Sequence, residues 1–174
     1  MSENKKLEFE TRGKILSSSL LIEELLNKII YNYFILKSID KITRSKFLDL
    51  FIFSKTFGRK KLIYIEILKM DRYKQKVEKS LISAPIELQT QTITNYISFK
   101  KAINDNLNEL IETRNNIAHG FDLSKAFIAL EENEVVFANK SRLTKINNKD
   151  VDNFIKITDE TIKLLEITKG KIQD

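Results

Sequence analysis

The sequence predicts an all-α domain, a bundle of four or five helices with a small β-hairpin late in the chain. Proline occurs once and glycine four times in 174 residues, too few for a turn-rich β fold. Apolar stripes recur at helical spacing in three separated stretches. The clearest of them ends just before Gly120, where a helix would be expected to stop. An apolar fraction of 42% supplies a core, with 11 Phe and 5 Tyr to fill it, and the length fits a single domain over residues 1–174.

The first helix is expected over residues 11–36. Ser17, Ser18 and Ser19 are suited to precede or cap a first turn, and Ile22, Leu25, Leu26, Ile29 and Tyr33 form a stripe behind them. Glu24 projects away from that stripe and Glu23 sits on its edge. Phe47, Leu48, Leu50, Phe51 and Phe53 then make an apolar cluster in a short helix or a buried turn, with a break near Gly58. In the stretch after it, Ile63, Ile65 and Ile67 alternate like a strand, but the flanking charged residues lengthen the segment and favour helix. "SAPIELQTQT", around Pro85, reads as the main internal loop.

Residues 92–118 give the strongest helical pattern. At 100° per residue, Ile103, Leu107, Leu110, Ile111 and Ala118 share one arc, with Arg114 in its middle. Gly120 follows as a C′ residue that can adopt a left-handed conformation. Beyond it, "ALE" and "VVF" bracket the polar "ENE", which suggests a β-hairpin or else an irregular excursion. A final helix, ending near Gly170, carries Val151, Phe154, Ile155, Thr158, Ile162 and Leu165 on one face.

Composition narrows the functions. There is no cysteine, which excludes disulfides, thiolate zinc sites and a cysteine nucleophile and suits a reducing, cytoplasmic setting. The charged N-terminus is unlike a signal peptide, and charges interrupt each apolar run before it could span a membrane. Net charge is +6, but it is uneven. Residues 37–79 hold 13 basic and 5 acidic side chains, a local surplus that suits a polyanion. Lys55, Arg59, Lys60 and Lys61 form its densest cluster and are the RNA-binding candidates, the other reading being a solvated lysine-rich face.

The motif "RNNIAHG", residues 114–120, contains the only histidine. An arginine centred on an apolar stripe is costly, because a guanidinium does not shed its charge to escape burial. It calls for a carboxylate, a carbonyl, a second subunit or an anion. Asn115 and His119 lie four apart and share a helix face, and Asn116 is three residues from His119. An imidazole exchanges protons near neutrality, and the carbonyl-rich end of a helix favours a cation. Phosphate-binding arginine, titratable histidine and flanking amides together suit phosphodiester chemistry. No His/Asp/Glu cluster has metal-ligand spacing, so neither a metal nor another cofactor is expected.

The stretch "NELIETRNNIAHG" resembles the signature of HEPN domains, a helical family of prokaryotic toxins, defence systems and RNA-processing enzymes. Arg114, Asn115 and His119 match its arginine, polar residue and histidine at the end of a long helix. Helix length and motif position are similar too, so the likeness covers most of the chain, although its specific part is the end of this one helix. The resemblance implies a HEPN-like helical bundle and a metal-independent endoribonuclease acting as a homodimer, with the two motifs meeting at the interface. Arg114, Asn115 and His119 would be catalytic, with Asn116 in support. Some members have an acidic residue on an early helix facing the site, for which Glu23 is the candidate. Others carry a tyrosine before the motif histidine that a partner enzyme modifies; this chain has Ala118 there, which removes that acceptor. A toxin or anti-phage role, with an antitoxin or other defence protein as partner, is part of what the resemblance implies. The alternative is a non-catalytic HEPN module for RNA binding or dimerisation in a larger complex. A purely structural bundle would instead give Arg114 an internal carboxylate partner and pack His119 away from solvent.

Overall fold

The computed structural model describes residues 3–34, 42, 45–46, 49, 52, 54–89, 91–122, 134–139 and 142–169. Among the described residues there are five helices of two turns or more: α1 (Glu3–Phe34), α2 (Phe57–Leu68), α3 (Asp71–Ser83), α4 (Tyr96–Ala118) and α5 (Asn148–Lys169). Five short strands join them: β1 (Ile86–Glu87), β2 (Thr92–Ile93), β3 (Phe121–Asp122), β4 (Val135–Asn139) and β5 (Arg142–Ile146). The expected helical bundle is therefore present, with more β structure than one hairpin. No described helix is long and apolar enough to cross a membrane.

The chain divides into two compact units, each assembled from distant stretches. The first comprises Met1–Leu21 and Asn108–Asp159; the second comprises Ile22–Leu107 and Glu160–Asp174. Helices α1, α4 and α5 each contribute residues to both.

In the first unit, α1 begins earlier than the serines suggested. Ser17 and Ser19 are interior residues, not caps. The Ser19 hydroxyl, buried, donates to the Ile15 carbonyl at 2.7 Å, so its polar group is satisfied one turn back. Thr11, Ile15 and Ser19 are the buried residues of this part of α1. The "VVF" stretch does enter a hairpin, with the strand that follows it. β4 pairs antiparallel with β5, Val135 opposite Ile146 and Asn139 opposite Arg142. β3 adds to the other edge of β4, with Phe121 opposite Ala138. "ALE" lies outside the described residues. Val135, Val136 and Phe137 are all buried, an uninterrupted apolar run typical of a covered central strand. Asn147 and Asp150 start α5 by reciprocal capping: each backbone N–H donates to the other's side-chain oxygen, at 2.9 and 3.0 Å.

In the second unit the α1 stripe is as expected, with Ile22, Leu25, Leu26 and Ile29 buried, joined by Ile30. Ile30, Ile52, Ile67 and Tyr73 form one apolar cluster, against which the partly buried Tyr33 packs. The predicted cluster of Phe47, Leu48, Leu50, Phe51 and Phe53 lies wholly outside the described residues. The break near Gly58 falls at residues 54–56, just before it; Gly58 itself sits in the first turn of α2, whose cap is Thr56, its hydroxyl accepting from the Arg59 amide at 3.4 Å. The ambiguous isoleucine stretch is helical. It ends at Leu68, and α3 begins three residues later at Asp71. The Pro85 loop contains a two-stranded pairing, Ile86 opposite Ile93. α4 starts at Tyr96 because Asn95 caps it, its Oδ1 accepting from the Ser98 amide at 2.9 Å. Within this unit α5 buries Thr161, Leu164, Leu165 and Thr168, whereas Ile162 is only half-buried.

Candidate functional site

The motif occupies the last turn of α4, within the first unit. Leu110 and Ile117 on either side of Arg114 are fully buried, so Arg114 holds the position where a core residue is expected. It is half-buried. Its Nη1 donates to the Oδ1 of neighbouring Asn115 at 3.1 Å, and among the described residues it has no carboxylate partner. Ile111 and Ala118, on the edge of the arc, are half-buried as well.

His119 is exposed, immediately after the helix. Its backbone N–H donates to the Asn115 carbonyl at 3.2 Å, which continues the helical pattern one residue further. Asn139 of β4 donates from Nδ2 to the same carbonyl at 3.3 Å. Asn115 thus links the site in two ways: its side chain orients Arg114, and its carbonyl fixes the backbone at His119. Asn116 is half-buried beside them.

The turn is held from below by a residue that the sequence reading did not single out. The Arg12 guanidinium of α1 donates to the Ile117 carbonyl at 2.5 Å and to the Gly120 carbonyl at 3.2 Å. It also donates to Glu8 at 2.9 Å and lies 5.0 Å from the centre of the Phe137 ring. The last carbonyls of a helix have no partner within it, and the negative end of the helix attracts a cation. Arg12 answers both needs. The one hint in the sequence was the Glu8–Arg12 spacing of a helical ion pair.

Gly120 is needed for space and not for a left-handed backbone. Its φ lies outside the left-handed region, but a Cβ there would collide with the Asn116 carbonyl and come within 2.9 Å of the Phe137 Cβ. The motif turn is therefore pressed against β4, with no room for a side chain.

A cavity of about 190 Å³ opens on another side of α4, with Glu109, Thr113, Lys145 and Asn153 in its wall. None of the motif residues lines it. The described residues contain no group of three or more His, Asp or Glu arranged to hold a metal ion.

The remaining site candidates belong to the second unit. Lys55 and Arg59 are exposed, as a polyanion contact requires. Lys60 is not on the surface. Its side chain is 5% exposed, and its ammonium pairs with the Glu23 carboxylate at 3.0 Å. This corrects the expectation for Lys60: its place in α2 turns it inward, where a charge survives only with a partner. Glu23 supplies that partner. Lys61 is half-buried, and desolvation lowers its pKa from the ordinary lysine value, against the opposing pull of Asp105.

No family model, curated protein or solved structure matches this chain. The geometry of the motif turn therefore carries the functional argument alone. It presents a half-buried cation without a carboxylate among the described residues, an amide holding that cation, and an exposed imidazole on a backbone clamped by Arg12 and Asn139. Such an arrangement can bind an anion and exchange a proton beside it.

Proposed function

We propose that this protein is a metal-independent endoribonuclease of the HEPN type, working as a homodimer in which two motif turns share one cleft. The observation that carries the reading is Arg114: a guanidinium in a core position of α4, with no carboxylate among the described residues and one turn from an exposed histidine. A cation left half-buried in this way is suited to a phosphate that arrives from outside.

Cleavage by the substrate's own 2′-hydroxyl needs a base for that hydroxyl and an acid for the leaving 5′-oxygen. One chain has one imidazole; a pair has two. In the proposed reaction one His119 takes the 2′-hydroxyl proton as the 2′-oxygen attacks phosphorus. The other His119 gives a proton to the 5′-oxygen as the P–O5′ bond breaks. The products are a 2′,3′-cyclic phosphate and a 5′-hydroxyl. Arg114 holds the phosphate and offsets the charge that builds on it. Asn115 fixes Arg114, and Arg12 holds the turn that carries His119. A toxin or defence role follows from the family likeness and stands or falls with it.

The test is incubation of the purified protein with a defined RNA in chelator, beside His119→Ala and Arg114→Ala. The expected result is cleavage by the wild type, cyclic phosphate ends and loss in both variants. A substrate with 2′-deoxyribose at the cut site should be inert. Undiminished cleavage by His119→Ala would remove the assigned role.

A further inference from the structure

We infer that Arg142 is a second phosphate-binding residue, placed beside the motif turn to take a neighbouring phosphate of the same RNA strand. This role rests on the ribonuclease reading above and deepens it: the favoured substrate is a strand with phosphates beyond the one cleaved, not a lone phosphodiester.

The sheet puts Arg142 in place. Side chains alternate along a strand, so Phe137 and Asn139 of β4 share one face with Arg142 of β5. That face covers the end of α4. Phe137 packs against Gly120, and Asn139 donates to the Asn115 carbonyl at 3.3 Å. Arg142, directly opposite Asn139 in the pairing, donates from Nη1 to the Glu112 Oε1 at 2.7 Å. Glu112 precedes His119 by about two helical turns, so the two lie about 20° apart around α4 and about 10 Å apart along it. Asn115 and Asn116 come between them. Arg114 leaves α4 on another side and reaches this one through the Asn115 Oδ1, at 3.1 Å. A line of polar side chains therefore runs from His119 to Glu112, with the Arg114 guanidinium beside Asn115 and that of Arg142 at the far end.

The present partner of Arg142 is replaceable. The Arg142 and Glu112 side chains are 71% and 63% exposed, so water screens their attraction. Among the described residues only Nη1 of Arg142 is engaged, and the rest of a five-donor fork is open. A phosphate can accept two parallel N–H bonds from such a fork. The hairpin end does not depend on the ion pair, because Asn139 ties it to α4 already. Glu112 holds the guanidinium over α4 until the strand arrives, and competes with the phosphate for it.

The test compares a dinucleoside monophosphate, which has one phosphate, with a defined oligoribonucleotide. Binding of the same oligonucleotide carrying 2′-deoxyribose at the cut site is followed by fluorescence anisotropy. Arg142→Ala should raise the oligonucleotide KM and weaken binding about tenfold, with kcat largely kept, and should reduce the slope of log Kd against log salt by about 0.7. The penalty should be smaller on the dinucleotide, so the preference for a longer substrate shrinks. Arg142→Lys, which keeps the charge without the fork, should fall between. Glu112→Gln releases the guanidinium and should tighten binding, the opposite sign. Lys156→Ala, which removes an equal charge from an exposed position of α5, should change binding about twofold or less. Arg142→Ala with the wild-type length preference and salt slope overturns this role and leaves the ribonuclease reading standing. Weaker binding in both Arg142→Ala and Glu112→Gln makes the pair structural and also overturns it. A wild type that cleaves neither substrate overturns both readings.

Discussion

Replacing Arg12 by alanine tests whether the motif turn owes its order to α1. The substitution removes two hydrogen bonds to helix-end carbonyls, one ion pair and one contact with an aromatic ring. A hydrogen bond from a charged donor contributes about 1.5–3 kcal/mol. The Arg12 side chain is 24% exposed, so its pairing with Glu8 is screened and adds a few tenths at most. The ring contact adds about 0.5–1 kcal/mol. These contributions overlap, and the turn can recruit water for the Gly120 carbonyl, so the net loss should be about 2–4 kcal/mol. For a chain of this size that lowers the melting temperature by about 5–15 °C. Thermal melts followed by circular dichroism measure the loss, and hydrogen exchange locates it: amides at 117–120 should exchange faster before the rest of α4 does. If the proposed function holds, RNA cleavage should fall with that local opening. Arg12→Lys keeps the charge but not the fork and should fall between. A melting temperature within about 1 °C of wild type, or exchange unchanged at the motif turn, would refute the clamp.

Three other perturbations have defined outcomes. Lys60→Met alone leaves the Glu23 carboxylate buried without its cation and should cost about 3–5 kcal/mol in urea denaturation, whereas the double variant with Glu23→Leu should recover most of it. Gly120→Ala forces a methyl group against the Asn116 carbonyl and Phe137, and should destabilise by about 1–3 kcal/mol in the same assay. Burial raises the pKa of Tyr64 above the ordinary tyrosine value and also raises that of Tyr73. A raised pKa in the folded state contributes stability that is fully present below about pH 10, the unfolded value, and is lost as pH climbs toward the folded one. Melting temperatures should therefore drop above about pH 10, and Tyr64→Phe should flatten that drop without altering the sign of the remainder.

The sequence showed most of what depends on periodicity. The α1 stripe from Ile22 to Ile29 and the α4 arc from Ile103 to Leu110 are buried as their spacing required, since helical register converts directly into facing. Ends were harder. The serines at 17–19 looked like a cap, but a hydroxyl that donates one turn back is equally content inside a helix, and only tertiary burial decides between the two. The break near Gly58 falls just before that residue, since a single glycine is tolerated in a first turn once Thr56 caps it. For the site, chemistry was legible and support was not. Arg114, Asn115 and His119 are close in sequence, so their mutual geometry follows from one helix. Arg12 reaches its partners across 105 and 108 positions of chain, a relation no local pattern encodes. Lys60 illustrates the converse. Its neighbours Arg59 and Lys61 are basic and less buried, and its own burial is set by the face of α2 on which it falls, together with Tyr64 and Ile67.

The Lys60–Glu23 pair has an evolutionary consequence. Neither member can be exchanged alone without leaving the other largely buried and unpaired, so drift at one site must wait for drift at its counterpart. Distant kin of this chain should keep both charges, reverse them, or show two apolar side chains, and mixed combinations should be scarce. Joint variation at two positions thirty-seven residues apart would thus reveal ancestry where overall similarity has faded.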